Sequence, residues 1–330
     1  MSNKKELVNA ILRAMEEDES MKRAYERTIE PIILNLEKDD NDKFINRFAY
    51  TIIDQRRDVE NIVIPIWISF LSTNLTPSKI QELFRKEKDA EILLKSLFKA
   101  VLTVYGHELK LEENEVEKLV DEKFYRQKVA SRVEALLKCY KYLVLWDLFL
   151  EEWRKETGEE ETARNFKEFI AKNRVRLIKD GKLLNKLAKI FPMIAAKSIL
   201  FFLRDVEPCP EDPDEVAIPI DVNVARAIQM TGIHHEDVVP LEKASSPKEM
   251  KMLQESLREA ATEGIKGRKM QAERIIKLDR GLFVLGMLYC QKCTEKEANC
   301  PHTLKNLCRF HNMKLHEKSI FLKQLRGEKR

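Results

Sequence analysis

Glycine and proline are scarce in this chain. Nine glycines and 11 prolines in 330 residues leave few points at which a sequence rich in Leu, Lys, Glu, Ala and Ile must break a helix. That shortage argues against tight hairpins and short strands and predicts an all-α fold. Long apolar runs are missing too. No segment approaches the ~18 to 20 apolar residues of a membrane span, and the opening MSNKKELVNAILRAMEEDES lacks the apolar core of a secretory signal. The expectation is a soluble protein of a reducing interior, in the cytoplasm or nucleoid, or the nucleus of a eukaryote, with no membrane partner. Six cysteines in such a compartment do not make a disulfide framework. Neither internal repeats nor low-complexity segments occur. A strong excess of one charge is also absent: the net charge is only +4, so the distribution of charge matters more than its sum.

What is present is a chain of 44% hydrophobic and 35% charged residues, enough for one large domain or two intimate subdomains. The first forty residues read as an amphipathic helix pair ending at the polar turn 38–42, with Asp42 a candidate cap for the next helix. Apolar-periodic segments then follow from Lys43 to about Leu150, and charged helical segments fill Glu151 to Lys189. Three prolines among four acids make PCPEDPDE, Pro208 to Glu215, the clearest loop. A helix is expected after Pro219, and another helical stretch from Ser246 to Gly286, interrupted by Gly264 and Gly267.

Four of the six cysteines, Cys290, Cys293, Cys300 and Cys308, lie within 19 residues and read C-x2-C-x6-C-x7-C. Such a compact set of thiols signals metal ligation, either a [4Fe-4S] cluster or tetrahedral zinc. His302 and His311 are possible substitute ligands, and hydrogen bonding or phosphate contact is their more ordinary role. Cys139 and Cys209 stand alone and read as ordinary packed or surface residues. From Pro301 onward, eight basic residues face two acidic ones, which suits contact with phosphate.

Two further residues invite chemistry. Lys197 follows PMIAA and precedes the apolar run SILFFL, so it projects from the first turn of a buried helix. A lysine there either snorkels to water or presents a partly desolvated amine, a potential Schiff-base nucleophile. Asp221 sits at the apolar junction IPIDVNV. It can cap the following helix, and capping by backbone amides also keeps a carboxylate ionised.

These blocks, in this order, resemble the helix-hairpin-helix DNA glycosylase superfamily, which includes endonuclease III, adenine glycosylase and the 8-oxoguanine glycosylases. The family's Pro-Gly-Val-Gly-x-Lys hairpin has its counterpart in PMIAAK, ending at Lys197, and its Val-Asp-x-His-Val block in IDVNV, starting at Ile220. The segment IIDQRRDV looks like the family's Leu-Ser-x-Gln-x-x-Asp-x, with Gln55 at the glutamine that enters the DNA stack. Tyr125-Arg126-Gln127-Lys128-Val129 is similar to its Tyr-Arg-Asn-Lys-Ala segment. GMLYC, ending at Cys290, resembles the helix end that leads into the iron-sulfur loop of endonuclease III-like enzymes. Departures are visible. Met193 and Ala195 replace the hairpin glycines, Asn223 replaces the histidine, and Lys197 and Asp221 are 24 positions apart. The short cysteine gap comes first, where the family order is C-x6-C-x2-C-x5-C. The stretched interval and altered hairpin are similar to the archaeal 8-oxoguanine glycosylases.

The resemblance implies two helical subdomains with a cleft between them, a divergent helix-hairpin-helix, and a C-terminal metal-binding loop. The corresponding division is an N-terminal helical addition at 1–42, a core at 43–286, a four-cysteine loop at 287–312 and a basic tail at 313–330. It further implies a monomeric glycosylase with AP lyase activity on duplex DNA containing a damaged base. In it Lys197 and Asp221 are catalytic, Gln55, Met193, Ala195, Lys305 and Arg309 face DNA, and the four cysteines hold a [4Fe-4S] cluster or zinc. The alternative is a metal-stabilised DNA-binding or damage-sensing protein without catalysis. Trp67, Trp146 and Trp153 supply aromatic surface for a base or, more ordinarily, core.

Overall fold

With so few helix breakers, every regular element among the described residues is helical. The computed structural model describes residues 4–28, 41–53, 77–86, 92, 131–191, 194–207, 209–293 and 300–328. Its longer helices are α1 (Lys4–Glu17), α2 (Glu19–Thr28), α3 (Asn41–Ile53), α4 (Pro77–Lys86), α5 (Ser131–Val144), α6 (Trp146–Thr157), α7 (Phe166–Lys179), α8 (Gly181–Ile190) and α9 (Ala196–Val206). They continue with α10 (Val222–Thr231), α11 (Pro247–Thr262), α12 (Arg268–Leu285), α13 (His302–Leu307), α14 (Arg309–Asn312) and α15 (Leu315–Leu325). Among the described residues, no helix is long and apolar enough to cross a membrane.

The chain divides into two compact units. One contains residues 1–37, 178–181 and 203–330; the other contains 38–177 and 182–202. The N-terminal helices therefore share a unit with the C-terminal half of the chain, from which more than 160 intervening residues separate them in sequence.

In the central unit the core is aromatic. Phe48 of α3 meets Phe166, Phe191 and Phe202 edge to face, with ring centroids 4.8, 5.0 and 4.9 Å away. Such geometry sets positive ring edges against negative faces and adds to the area buried. Trp153 is buried beside Phe149 and Phe169, and the Trp146 indole donates to the Ala163 carbonyl at 2.6 Å. Both tryptophans thus serve the core; Trp67 lies outside the described residues. Helix α3 already includes Asn41, so Asp42 falls within its first turn. Its carboxylate instead accepts from the Ser78 hydroxyl at 2.8 Å and the Ser78 amide at 3.3 Å, satisfying the exposed start of α4. In α8, Leu183, Leu184 and Leu187 are buried, while Lys182 and Lys189 are exposed.

The other unit is built on α10 and α12. Eight of the ten residues of α10 are buried, and α12 lies against it with a long apolar stretch of its own. Two glycines permit close crossings. A Cβ on Gly281 would stand 3.1 Å from Ile11 of α1, and a Cβ on Gly286 would stand 2.2 Å from the Asn223 carbonyl oxygen at the start of α10. Helix α1 contributes Leu7, Val8, Ile11 and Ala14 to the core at helical spacing. Its docking is also polar: Arg274 donates to the Asn9 side chain at 2.6 Å, and the Tyr289 hydroxyl donates to Asp18 at 3.0 Å. Asp18 at the same time caps α2 through the Met21 amide at 2.9 Å. The C-terminal basic segment is a docked helix: Phe321 and Leu325 of α15 are buried, and the Leu241 amide donates to the Leu325 carbonyl at 2.9 Å.

The glycines give a test of this packing. Gly286→Ala should lower stability by about 3 kcal/mol, because the new methyl meets backbone that cannot step aside. Gly158→Ala, at φ +76° with open space around it, should lose only about 1 kcal/mol of backbone preference. Urea unfolding of the two variants distinguishes a steric cost from a conformational one.

Candidate metal and acid sites

The π-helical turn Gly286–Cys290 ends α12 and sets the direction in which the chain leaves it. Such turns rotate the following side chains off the helix register and recur at functional positions. Here the turn delivers Cys290 into a cavity lined by all four clustered cysteines together with Leu7, Met230, Thr231, Leu285, Tyr289, Leu304 and His311. The cavity is small, about 10 Å³, room for about one water molecule. Cys290 and Cys308 are buried, and Cys293 and Cys300 partly so. Among the described residues, no group of three or more His, Cys, Asp or Glu side chains is arranged to hold a metal ion. The cysteines instead stand around the walls of a shared space.

Their electrostatics follow from that placement. Burial pushes the Cys290 thiol well above its usual range, and ionised Cys308, Cys293 and Cys300 would push it further. Burial likewise raises Cys300 to about 12, with Cys293 and Cys308 adding to the rise. Cys308 is also raised by burial; the amides of His311 and Phe310 face its sulfur and offset part of the penalty, although neither closes into a regular capping bond. As a thiol, Cys308 donates to the Met230 carbonyl at 3.2 Å. Four mutually repelling thiolates can form together here only if a cation compensates them, and soft sulfur donors select iron-sulfur clusters, zinc or copper(I). The donor set fits a thiolate-ligated metal group.

The two histidines of the loop part company. His311 lines the cavity with Nε2 3.6 Å from the Cys293 sulfur, whereas His302 is exposed beside Asn306. Lys305 is half-buried, close enough to Cys300 for its charge to lower that thiol. Arg309 donates to the His234 carbonyl at 3.4 Å and lies 5.6 Å from the centre of the Phe321 ring, so its guanidinium is engaged within its own unit.

Asp221 is held from both sides. Upstream, Arg258 donates to the carbonyls of Pro213 and Val216, and Gln254 to that of Ile218 at 2.6 Å, pinning the extended segment that leads to the acid. Downstream, the Asp221 carboxylate accepts from the amides of Asn223 at 2.9 Å and Val224 at 2.7 Å and caps α10. Within its electrostatic reach is Asp279 of α12, one oxygen 3.5 Å from Arg204 and the other without a hydrogen-bond partner among the described residues. Burial raises the Asp279 carboxyl to about 6; Arg204 and Arg280 pull it down, and ionised Asp221 pushes it up.

Lys197 is the second residue of α9, half-buried, and among the described residues its ammonium forms no ion pair. It belongs to the central unit, and Asp221 to the other. The turn between α8 and α9 presents Ala195 to solvent. Met193 lies outside the described residues, as do Gln55 and the 125–129 segment. Sequence reasoning did not find Asp279, Gly286 or the cavity wall contributed by Leu7. Nothing local marks a leucine some 280 positions from the cysteines as their neighbour. The chain matches no protein-family model, no curated protein and no solved structure.

Asp279 makes a pH prediction. An ordinary aspartate titrates near 3.8, so between pH about 4 and about 6 the folded state holds more protons than the unfolded one. Stability then falls as pH rises through that window, by at most about 3 kcal/mol, and is level above it. Asp279→Asn should flatten this slope, whatever its effect on absolute stability. Denaturant midpoints measured from pH 4 to 7 check it.

Proposed function

We propose that the protein is a DNA glycosylase with AP lyase activity that carries a [4Fe-4S] cluster on Cys290, Cys293, Cys300 and Cys308. The observation that carries this reading is the convergence of the four cysteines on one cavity, within the same unit as a carboxylate capped at a helix start. A cluster is preferred to zinc because all four clustered candidate ligands are cysteine. When bound, it supplies a brace for the basic C-terminal segment.

In the reaction, duplex DNA first gives up the damaged nucleotide from its stack, at about a few kcal/mol, less where pairing is already weak. The Lys197 amine attacks C1′ of the deoxyribose. A carbon-nitrogen bond forms as the glycosidic bond breaks, and the base leaves with the electron pair and a proton. Asp221, held in place by its two amide donors, balances the positive charge that develops on the sugar. Ring opening yields a Schiff base on Lys197, and β-elimination then breaks the C3′–O bond and nicks the strand. Exposed Ala195 in the hairpin turn, in place of a glycine, favours the second reading, a DNA-binding protein without excision, because a side chain keeps backbone amides away from a phosphate.

Borohydride trapping on duplexes carrying 8-oxoguanine, oxidised pyrimidines, uracil or an abasic site separates the two. The active enzyme should give a covalent adduct that Lys197→Gln abolishes. Asp221→Asn retains a capping oxygen and should fold, yet lose at least about 100-fold in base release. Duplex binding without adduct or base release sinks the enzymatic reading and leaves the binding protein.

A further inference from the structure

Of the two histidines in the cysteine loop, only His311 reaches the cavity, and it does so against one particular sulfur. Its Nε2 lies 3.6 Å from the Cys293 Sγ, within hydrogen-bonding distance for sulfur. Its position is well anchored. The preceding Phe310 is buried against Phe321, with centroids 5.9 Å apart, and the following Asn312 donates from its amide to the Cys308 carbonyl at 3.2 Å and from its side chain to the Asn306 carbonyl at 2.9 Å. The imidazole is thus held beside Cys293 by packing and backbone on either side of it.

Metal binding decides the direction of that bond. A free cysteine can donate or accept, but a metal-bound thiolate has no proton and can only accept. Nε2 must then carry the hydrogen. An N–H aimed at a ligating sulfur withdraws electron density from it, which eases the extra negative charge of the reduced form. We propose that His311 is a hydrogen-bond donor to the metal-bound sulfur of Cys293 and raises the reduction potential of the cluster held by the four cysteines. The proposal rests on the cluster reading and goes beyond it. It gives the cluster an electron affinity tuned by this chain, where bracing alone needs none. His311 acts through Cys293 and is a positioning residue for the metal group, not one of its ligands.

The full chain is reconstituted anaerobically with iron and sulfide, and assembly is followed by visible absorbance. The midpoint potential is then found by titration with a one-electron reductant and mediating dyes. Wild type, His311→Phe and His311→Gln are compared, with His311→Ala in place of the Phe variant if the larger ring disturbs packing. The cluster should assemble in all. The non-donor variant should show about a tenfold shift toward the oxidised form at a fixed potential, equivalent to about 59 mV for one electron. Gln keeps an N–H and should recover most of the shift. An unchanged potential in a fully assembled non-donor variant overturns the proposal alone. So does a Gln variant that shifts as far as the non-donor, or loss of the cluster from every non-donor variant, which would make His311 a ligand or a folding residue. A wild-type chain that takes up no cluster overturns the underlying reading, and the proposal with it.

Discussion

Helix α12 can lie against the first turn of α10 because Gly286 has no side chain, and much of the non-central unit depends on that approach. A methyl group there would occupy the space of the Asn223 carbonyl. Asp221 lies two residues before this contact and Cys290 four residues after its partner. One close crossing thus positions the capped acid and the first cysteine of the cavity together. Close packing is what makes such a contact decisive, because a dense interior transmits the displacement of one helix to everything attached to it.

The same unit shows how buried polarity is arranged around the acid. Arg258 takes the carbonyls of Pro213 and Val216, and Gln254 that of Ile218, so these groups before Asp221 are hydrogen-bonded without a sheet. Asp221 itself takes two amides. Asp279 is left one oxygen short and is driven toward its neutral form. Of the two neighbouring carboxylates, Asp221 is engaged by backbone amides, and burial favours the acid form of Asp279.

The cysteine-lined cavity joins segments far apart in the chain. Leu7 near the N-terminus lines it beside cysteines near the C-terminus, and the Tyr289 to Asp18 hydrogen bond lies next to it. Helix α1, legible as part of an amphipathic pair, therefore contributes Leu7 to the shell around the thiols. Its apolar face packs against α11, α12 and α13.

The sequence alone determined that the described residues are helical, that Lys197 lies in the first turn of a helix, that Asp221 can cap the next, and that the stretch from Ser246 to Gly286 is helical with interruptions at Gly264 and Gly267. Each of these is a local property: a missing breaker, a capping side chain, a run of apolar residues at a 3.6-residue period. The cysteine spacing likewise marked the four thiols as a group. Only the tertiary structure decided that His311 and not His302 faces them, that Asp42 serves α4 and not its own helix, that Arg309 is turned inward, and that Asp279 lies within electrostatic reach of Asp221. Those outcomes depend on which helix faces cross and how closely. That is settled by packing between residues tens to hundreds of positions apart, and no local pattern encodes it.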